Sequence, residues 1–290
     1  MLKSFFSLNG EFKTISTEEE FLEILRYSDA VRDLEFKPTK LSPARPGNRF
    51  TKKRFTNISF SKTDIIGIEF KKCEFADCLF IGTSFIDCEF HDCVFKGCNP
   101  YKIKFRGTYI DPSYFAGMLS PVDHSNIGVW LFQQLLKNSA ECRQPSFSQN
   151  ALYYFHKWKR YQLDYEYKEG ELSRFQYYKR WLPSLLYDHL AGYGLRLWPL
   201  ARLTIALLVT CTIFNHYAWP VFQIHSTSID AGSATFTKSL YYTVITVTTL
   251  GYGDLTPTSN FGMNAASIES LFGVVWLGLL ANTIIKRVTK

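Results

Sequence analysis

The 290-residue chain has no two cysteines closer than five positions, so the paired CxxC spacing of a zinc site is missing. Nor do its seven cysteines, at 73, 78, 88, 93, 98, 142 and 211, resemble a secreted disulfide framework. It has no nucleotide-binding glycine loop and no catalytic constellation, so neither an enzyme nor a cofactor is expected. No periodic Arg series occurs in an apolar segment, which leaves voltage sensing by a charged helix unsupported. The apolar run in residues 1–8 is too short for a signal peptide and meets Glu11, so the N-terminal part is expected in the cytosol. Charge is scarce in one region: residues 197–290 hold five of the 33 basic and three of the 26 acidic residues. That partition predicts a soluble N-terminal part joined to a membrane domain.

Phenylalanine is abundant, and in one segment it is periodic. Of thirteen slots spaced five apart from Phe55 to Phe115, ten hold Phe and two hold Ile, with Pro100 the exception. Chance would place roughly one Phe there, so this is a repeat. Two residues before each slot after the first stands a small or β-branched side chain: Ile58, Thr63, Ile68, Cys73, Cys78, Thr83, Cys88, Cys93, Cys98, Ile103, Thr108, Ser113. A period of five fits neither helix nor flat strand, so each unit must bury two side chains and turn a corner.

This pattern resembles the pentapeptide-repeat family, which implies a right-handed quadrilateral β-helix over 52–118 with four units to the coil. On that winding Cys73 would stack near Cys93 and Cys78 near Cys98 as reduced core filler, and the solenoid would be about 15 Å long at about 4.8 Å per coil. Some members imitate DNA with an acidic surface. Residues 52–118 carry ten basic and eight acidic side chains, which argues against that role. An interaction module with an unidentified cytosolic partner is the default.

Around the repeat, Thr17 with Glu20 reads as a capping box starting a helix with Phe21, Leu22 and Leu25 on one face. Residues 1–51 are thus expected as helix and loop, with 37–48 a loop. Residues 119–197 form a helical cytosolic or interfacial linker, with helices over 127–136 and 151–165. Tyr154, Trp158, Tyr161 and Tyr165 make a stripe on the second of these. The aromatic and basic residues of 175–189 suit lipid headgroups better than nucleic acid, which is not expected as a partner.

The C-terminal third, residues 198–290, carries two apolar stretches. Residues 198–219 would make a helix about 33 Å long, enough to cross a hydrocarbon core of about 30 Å. Residues 262–285 form the second, interrupted by Glu269. Lys286, Arg287 and Lys290 follow the second, Arg180, Arg196 and Arg202 surround the start of the first, and only Lys238 lies between. The positive-inside rule then places both termini in the cytosol of a multi-pass cell-membrane protein, with the connection outside. After a polar stretch over 223–233, residues 236–248 are apolar but too short to cross, and read as a re-entrant helix. Thr248, Thr249, Leu250, Gly251, Tyr252, Gly253 and Asp254 follow.

Threonine, an aliphatic residue and Gly-Tyr-Gly-Asp after a short helix between two spanning helices resemble the selectivity filter of two-transmembrane, one-pore-loop potassium channels, with Leu250 in place of the usual valine. The resemblance implies K+ as the permeant ion, bound at residues 249–253 by backbone carbonyls and the Thr249 hydroxyl. Gly251 and Gly253 would supply dihedral angles that a Cβ disfavours. Thr248, Asp254, Tyr241 and Tyr242 would support the filter, Tyr252 packing on both tyrosines. One loop gives one oxygen per ring, so a homotetramer in the bilayer is expected. Gly273 and Gly278 are candidate gating hinges or close-packing positions. Glu269, costly in a bilayer at about 2.5–3.5 kcal/mol if charged, is expected to face protein or water and to brace the re-entrant helix from behind. Gly192-Tyr193-Gly194 lacks these flanks and reads as a turn. A nonselective cation pore and a membrane-anchored interaction protein stay open as alternatives.

Overall fold

The computed structural model describes residues 5–44, 48–227 and 234–288. Residues 228–233 of the polar stretch and Lys290 lie outside the described residues, as do the side chains of Lys286 and Arg287. The chain divides into two units, Met1–Leu185 and Leu186–Lys290.

The first unit is a stack of short parallel strands. Phe70 pairs with Phe90, Phe75 with Phe95 and Phe85 with Phe105, so the chain returns to the same face every twenty residues. Three sheets form in this way, and single bridges linking Ser59, Leu79 and Asn99 mark a further face. The every-fifth-residue phenylalanines point inward and stack in columns, with Phe75 lying 4.9 Å from Phe55 and 4.8 Å from Phe95 between ring centroids. Such offset-parallel rings add to the hydrophobic gain of burial. Phe75→Ala should therefore cost about 3–5 kcal/mol, read as a lower midpoint in denaturant. A shift under about 1 kcal/mol would contradict the column.

The slot two residues earlier has a second role beyond being small. Cys73, Cys78, Cys88, Cys93 and Cys98 donate their thiols to the carbonyls of Phe50, Phe55, Ile65, Phe70 and Phe75, 3.2–3.5 Å away. Thr83 and Thr108 donate to Phe60 and Phe85 in the same register, at 2.7 and 3.0 Å. Cysteine and threonine are interchangeable here because each offers one donor on a small side chain. Burial pushes the Cys88 thiol up to about 11, which keeps its proton in place for that bond.

The parallel stacking begins before residue 52. Strand Ala30–Phe36 pairs with Arg54–Ser59, and Lys40–Leu41 pairs with Asp64–Ile66, both offset by twenty-four residues. A first turn of chain with four extra residues breaks the period of five, so the repeat pattern does not reach it. The stretch expected as loop thus contains a short strand. Helix α1 (Glu18–Tyr27) caps this end: Thr17 accepts from the Glu20 amide, and Phe21 inserts edge-on against Phe36 and Phe60.

The other end is closed by α2 (Ser125–Glu141), which packs against α3 (Pro145–Lys168). Asn138 accepts from the Thr108 amide at 3.0 Å and donates to its carbonyl at 2.7 Å, occupying backbone groups that an open edge would expose. Leu131, Phe132, Leu135 and Trp158 are part of the same core as the phenylalanine columns. The segment expected as linker therefore belongs in part to the first unit. Helix α4 (Arg174–Ala191) contains the unit boundary; Tyr177 donates to Asp164 at 2.7 Å and stacks on Tyr167, facing protein rather than headgroups. Within the first unit Phe175, Tyr178 and Leu182 are exposed on one face of it.

In the second unit, α5 (Leu197–Phe222), α6 (Phe236–Val247) and α7 (Asn260–Val288) pack together. Leu197–Phe222 and Asn260–Ile285 are long and apolar enough to cross a membrane, each with mean hydropathy 1.8. Gly192-Tyr193-Gly194 forms a buried 3-10 turn with all three residues at positive φ, which redirects the chain between α4 and α5. A two-stranded hairpin, Ile224–Ser226 against Leu255–Pro257, ties the segments flanking α6.

Candidate functional site: the loop after the short helix

Thr235 caps α6 by accepting from the Lys238 amide, and the helix ends at Thr248, whose hydroxyl donates to the Val244 carbonyl at 2.6 Å. Its carbonyl end, carrying the partial negative charge of the helix dipole, therefore opens directly onto residues 249–253. There the backbone alternates: Thr249, Gly251 and Gly253 have φ of +59°, +48° and +77°, and Leu250 and Tyr252 between them do not take positive φ. Two of the three left-handed positions are the glycines expected to need it. The third is a β-branched residue, an outlier of the strained kind that persists only where its surroundings hold it. Its hydroxyl donates to the Thr248 carbonyl at 2.7 Å, and the Gly251 amide donates to Ile245 at 3.2 Å. Leu250 and Tyr252 are 59 % and 70 % exposed within a single chain.

Support for the loop differs from expectation at Tyr242. Tyr241 donates to the Asp254 carboxylate at 2.6 Å, which in turn accepts from the Leu255 amide at 3.1 Å. Tyr242 instead turns away and is buried against Trp219 and Phe222 of α5. Adjacent residues on a helix lie about 100° apart, so only one of the two tyrosines can face the loop. Tyr241→Phe should loosen the loop: Asp254 loses a donor, and any ion flux through the loop should decay faster with time. An unchanged time course would remove Tyr241 from the supporting set.

Glu269 is 9 % exposed, and its Oε2 accepts from Asn215 Nδ2 at 3.1 Å. The same amide nitrogen donates to Thr243 of α6 at 2.9 Å. Asn215 therefore links the carboxyl on α7 to the back of the short helix. The sequence reading missed it, since its partners stand 28 and 54 residues away. Ser270 adds a bond to the Thr246 carbonyl at 3.2 Å.

Gly273 and Gly278 lie in one unbroken helix. A Cβ on Gly273 would overlap the Val247 carbonyl oxygen at the end of α6, so this glycine permits a close helix approach. Gly278 faces open space. Of the two roles expected, close packing is the one that the contact at Gly273 supports.

Residues 202–290 match the model of a family described as Ion channel. The match takes in nearly all of α5, the short helix with its loop, and all of α7. It supports an ion channel, and the two long apolar helices support a place in a membrane.

Proposed function

We propose that the protein is a homotetrameric, potassium-selective channel of the cell membrane, conducting K+ passively through residues 249–253. The observation that carries this reading is the alternation of left-handed residues at 249, 251 and 253 immediately beyond a helix C-terminus. A regular strand alternates its carbonyls from side to side; left-handed residues at every second position would let consecutive carbonyls face a common side, as a stack of oxygen rings requires. The Thr249 hydroxyl and the carbonyls of Thr249, Leu250, Gly251 and Tyr252 would replace water around a dehydrated ion. The exposure of Leu250 and Tyr252 in one chain fits a loop completed by three further copies.

The first unit is read as a cytosolic pentapeptide-repeat β-helix, supported by the twenty-residue pairing and the inward phenylalanine columns. It is a candidate gating or assembly domain. The exposed Phe175, Tyr178 and Leu182 of α4, with Arg174, Lys179 and Arg180 on the same part of the helix, suit the headgroup region at the cytosolic surface.

Purified chain in liposomes, with K+ or Na+ as the only permeant cation, tests the reading. Flux of K+ well above Na+ is the expected outcome. Equal rates would leave a nonselective cation pore, and no flux of either would leave a membrane-anchored interaction protein.

A further inference from the structure

Asn215 stands fully buried in an apolar helix, where an amide is costly unless its hydrogens find acceptors. Its Nδ2 donates to Thr243 Oγ1 on α6 at 2.9 Å and to Glu269 Oε2 on α7 at 3.1 Å, which uses both hydrogens. The Thr243 hydroxyl already donates to the Ser239 carbonyl at 2.8 Å, so toward Asn215 it can only accept. That fixes the direction of the bond, with the amide as donor. The Cys211 thiol, one turn earlier on α5, adds a weaker bond to the same carboxyl. Beside Glu269, Ser270 donates to the Thr246 carbonyl at 3.2 Å. That carbonyl also accepts from the Thr249 amide at 3.1 Å, and Thr249 is the β-branched residue at φ +59°. A chain of contacts thus runs from α5 through α7 to the first residue of the loop.

We propose, on the reading of residues 249–253 as the ion path, that Asn215 is a positioning residue for ion selection. By fixing Glu269 it sets the adjacent Ser270 against the Thr246 carbonyl, and that carbonyl holds Thr249 in its left-handed conformation. A β-branched residue at positive φ persists only while its surroundings hold it. Without Asn215 the Thr246 carbonyl is free to turn and Thr249 relaxes, taking its own carbonyl and hydroxyl off the common side. The ring of oxygens at the inner end of the loop is then lost, and with it discrimination between ions of different size.

Full-length chain in liposomes, assayed for K+ and Na+ flux and for its melting temperature, tests this role. Asn215→Leu, close in volume but with no hydrogen to give, should lower the K+-to-Na+ flux ratio about ten-fold, the scale of one hydrogen bond. Ser270→Ala removes one oxygen from α7 and should move the ratio in the same direction. Because both act through the Thr246 carbonyl, the double variant should be no worse than Asn215→Leu alone. Asn215→Gln keeps the two-hydrogen amide and should recover part of the ratio, which a merely space-filling role would not require. A wild-type ratio in folded Asn215→Leu or in Ser270→Ala, or losses that multiply in the double variant, would overturn the assignment. A wild type that carries K+ no faster than Na+ would instead remove the reading of the loop, and the role of Asn215 with it.

Discussion

Gly251→Asp should reduce K+ flux to the background of empty liposomes while leaving the protein folded. At φ +48° a side chain is disfavoured by about 1–2 kcal/mol, a cost too small to unfold the unit. No neighbouring atom lies within 4 Å of where the Cβ would stand, so no local clash adds to it. On the proposed tetrameric reading, four added carboxylates beside the loop would disturb the backbone and charge around a file of cations held by carbonyls. Melting temperature and flux must be measured on the same sample. A folded variant that still carries K+ at the wild-type rate would show that the ion does not pass beside residue 251.

Gly273→Leu should have the opposite signature, a loss of stability rather than of conduction alone. Its Cβ would overlap the Val247 carbonyl, so α7 must move off the end of α6 or the chain must unfold. Overpacking of this kind costs about 1–3 kcal/mol in well-packed interiors, and backbone rather than a flexible side chain stands in the way here. Gly278→Leu should be tolerated by the single chain, since that glycine meets no atom within 4 Å. Thermal melting of both variants in detergent separates the packing role from a hinge role. A hinge would leave the melting temperature of Gly273→Leu unchanged and alter opening.

The backbone of the loop was partly legible because its demand is local: two of the three left-handed positions are glycines, where positive φ is inexpensive. Thr249 escaped notice because nothing in its type announces a positive φ. The tyrosine pair was half legible. Both side chains could support the loop by composition, and only the rotation of α6 decides that Tyr241 meets Asp254 while Tyr242 meets Trp219. Asn215 was invisible for a different reason, because a lone polar residue in an apolar helix gives no sign of the two distant groups it joins.

In the first unit, the period of five carried the inward columns and the twenty-residue return. It runs back as far as Phe50, which pairs with Phe70, and is lost before that because four extra residues between Leu41 and Arg49 shift the offset to twenty-four. The cysteine positions read as filler also proved to be donors. Their repeated bond to the carbonyl twenty-three residues earlier explains why threonine shares the slot.

Counting the copies in the assembled protein bears most directly on the idea that identical loops must close around one ion, since a single chain gives one oxygen per ring. Native mass measurement of the purified assembly should give four copies of the 33.5 kDa chain. A stable species of one, two or three copies that still conducts K+ would contradict it.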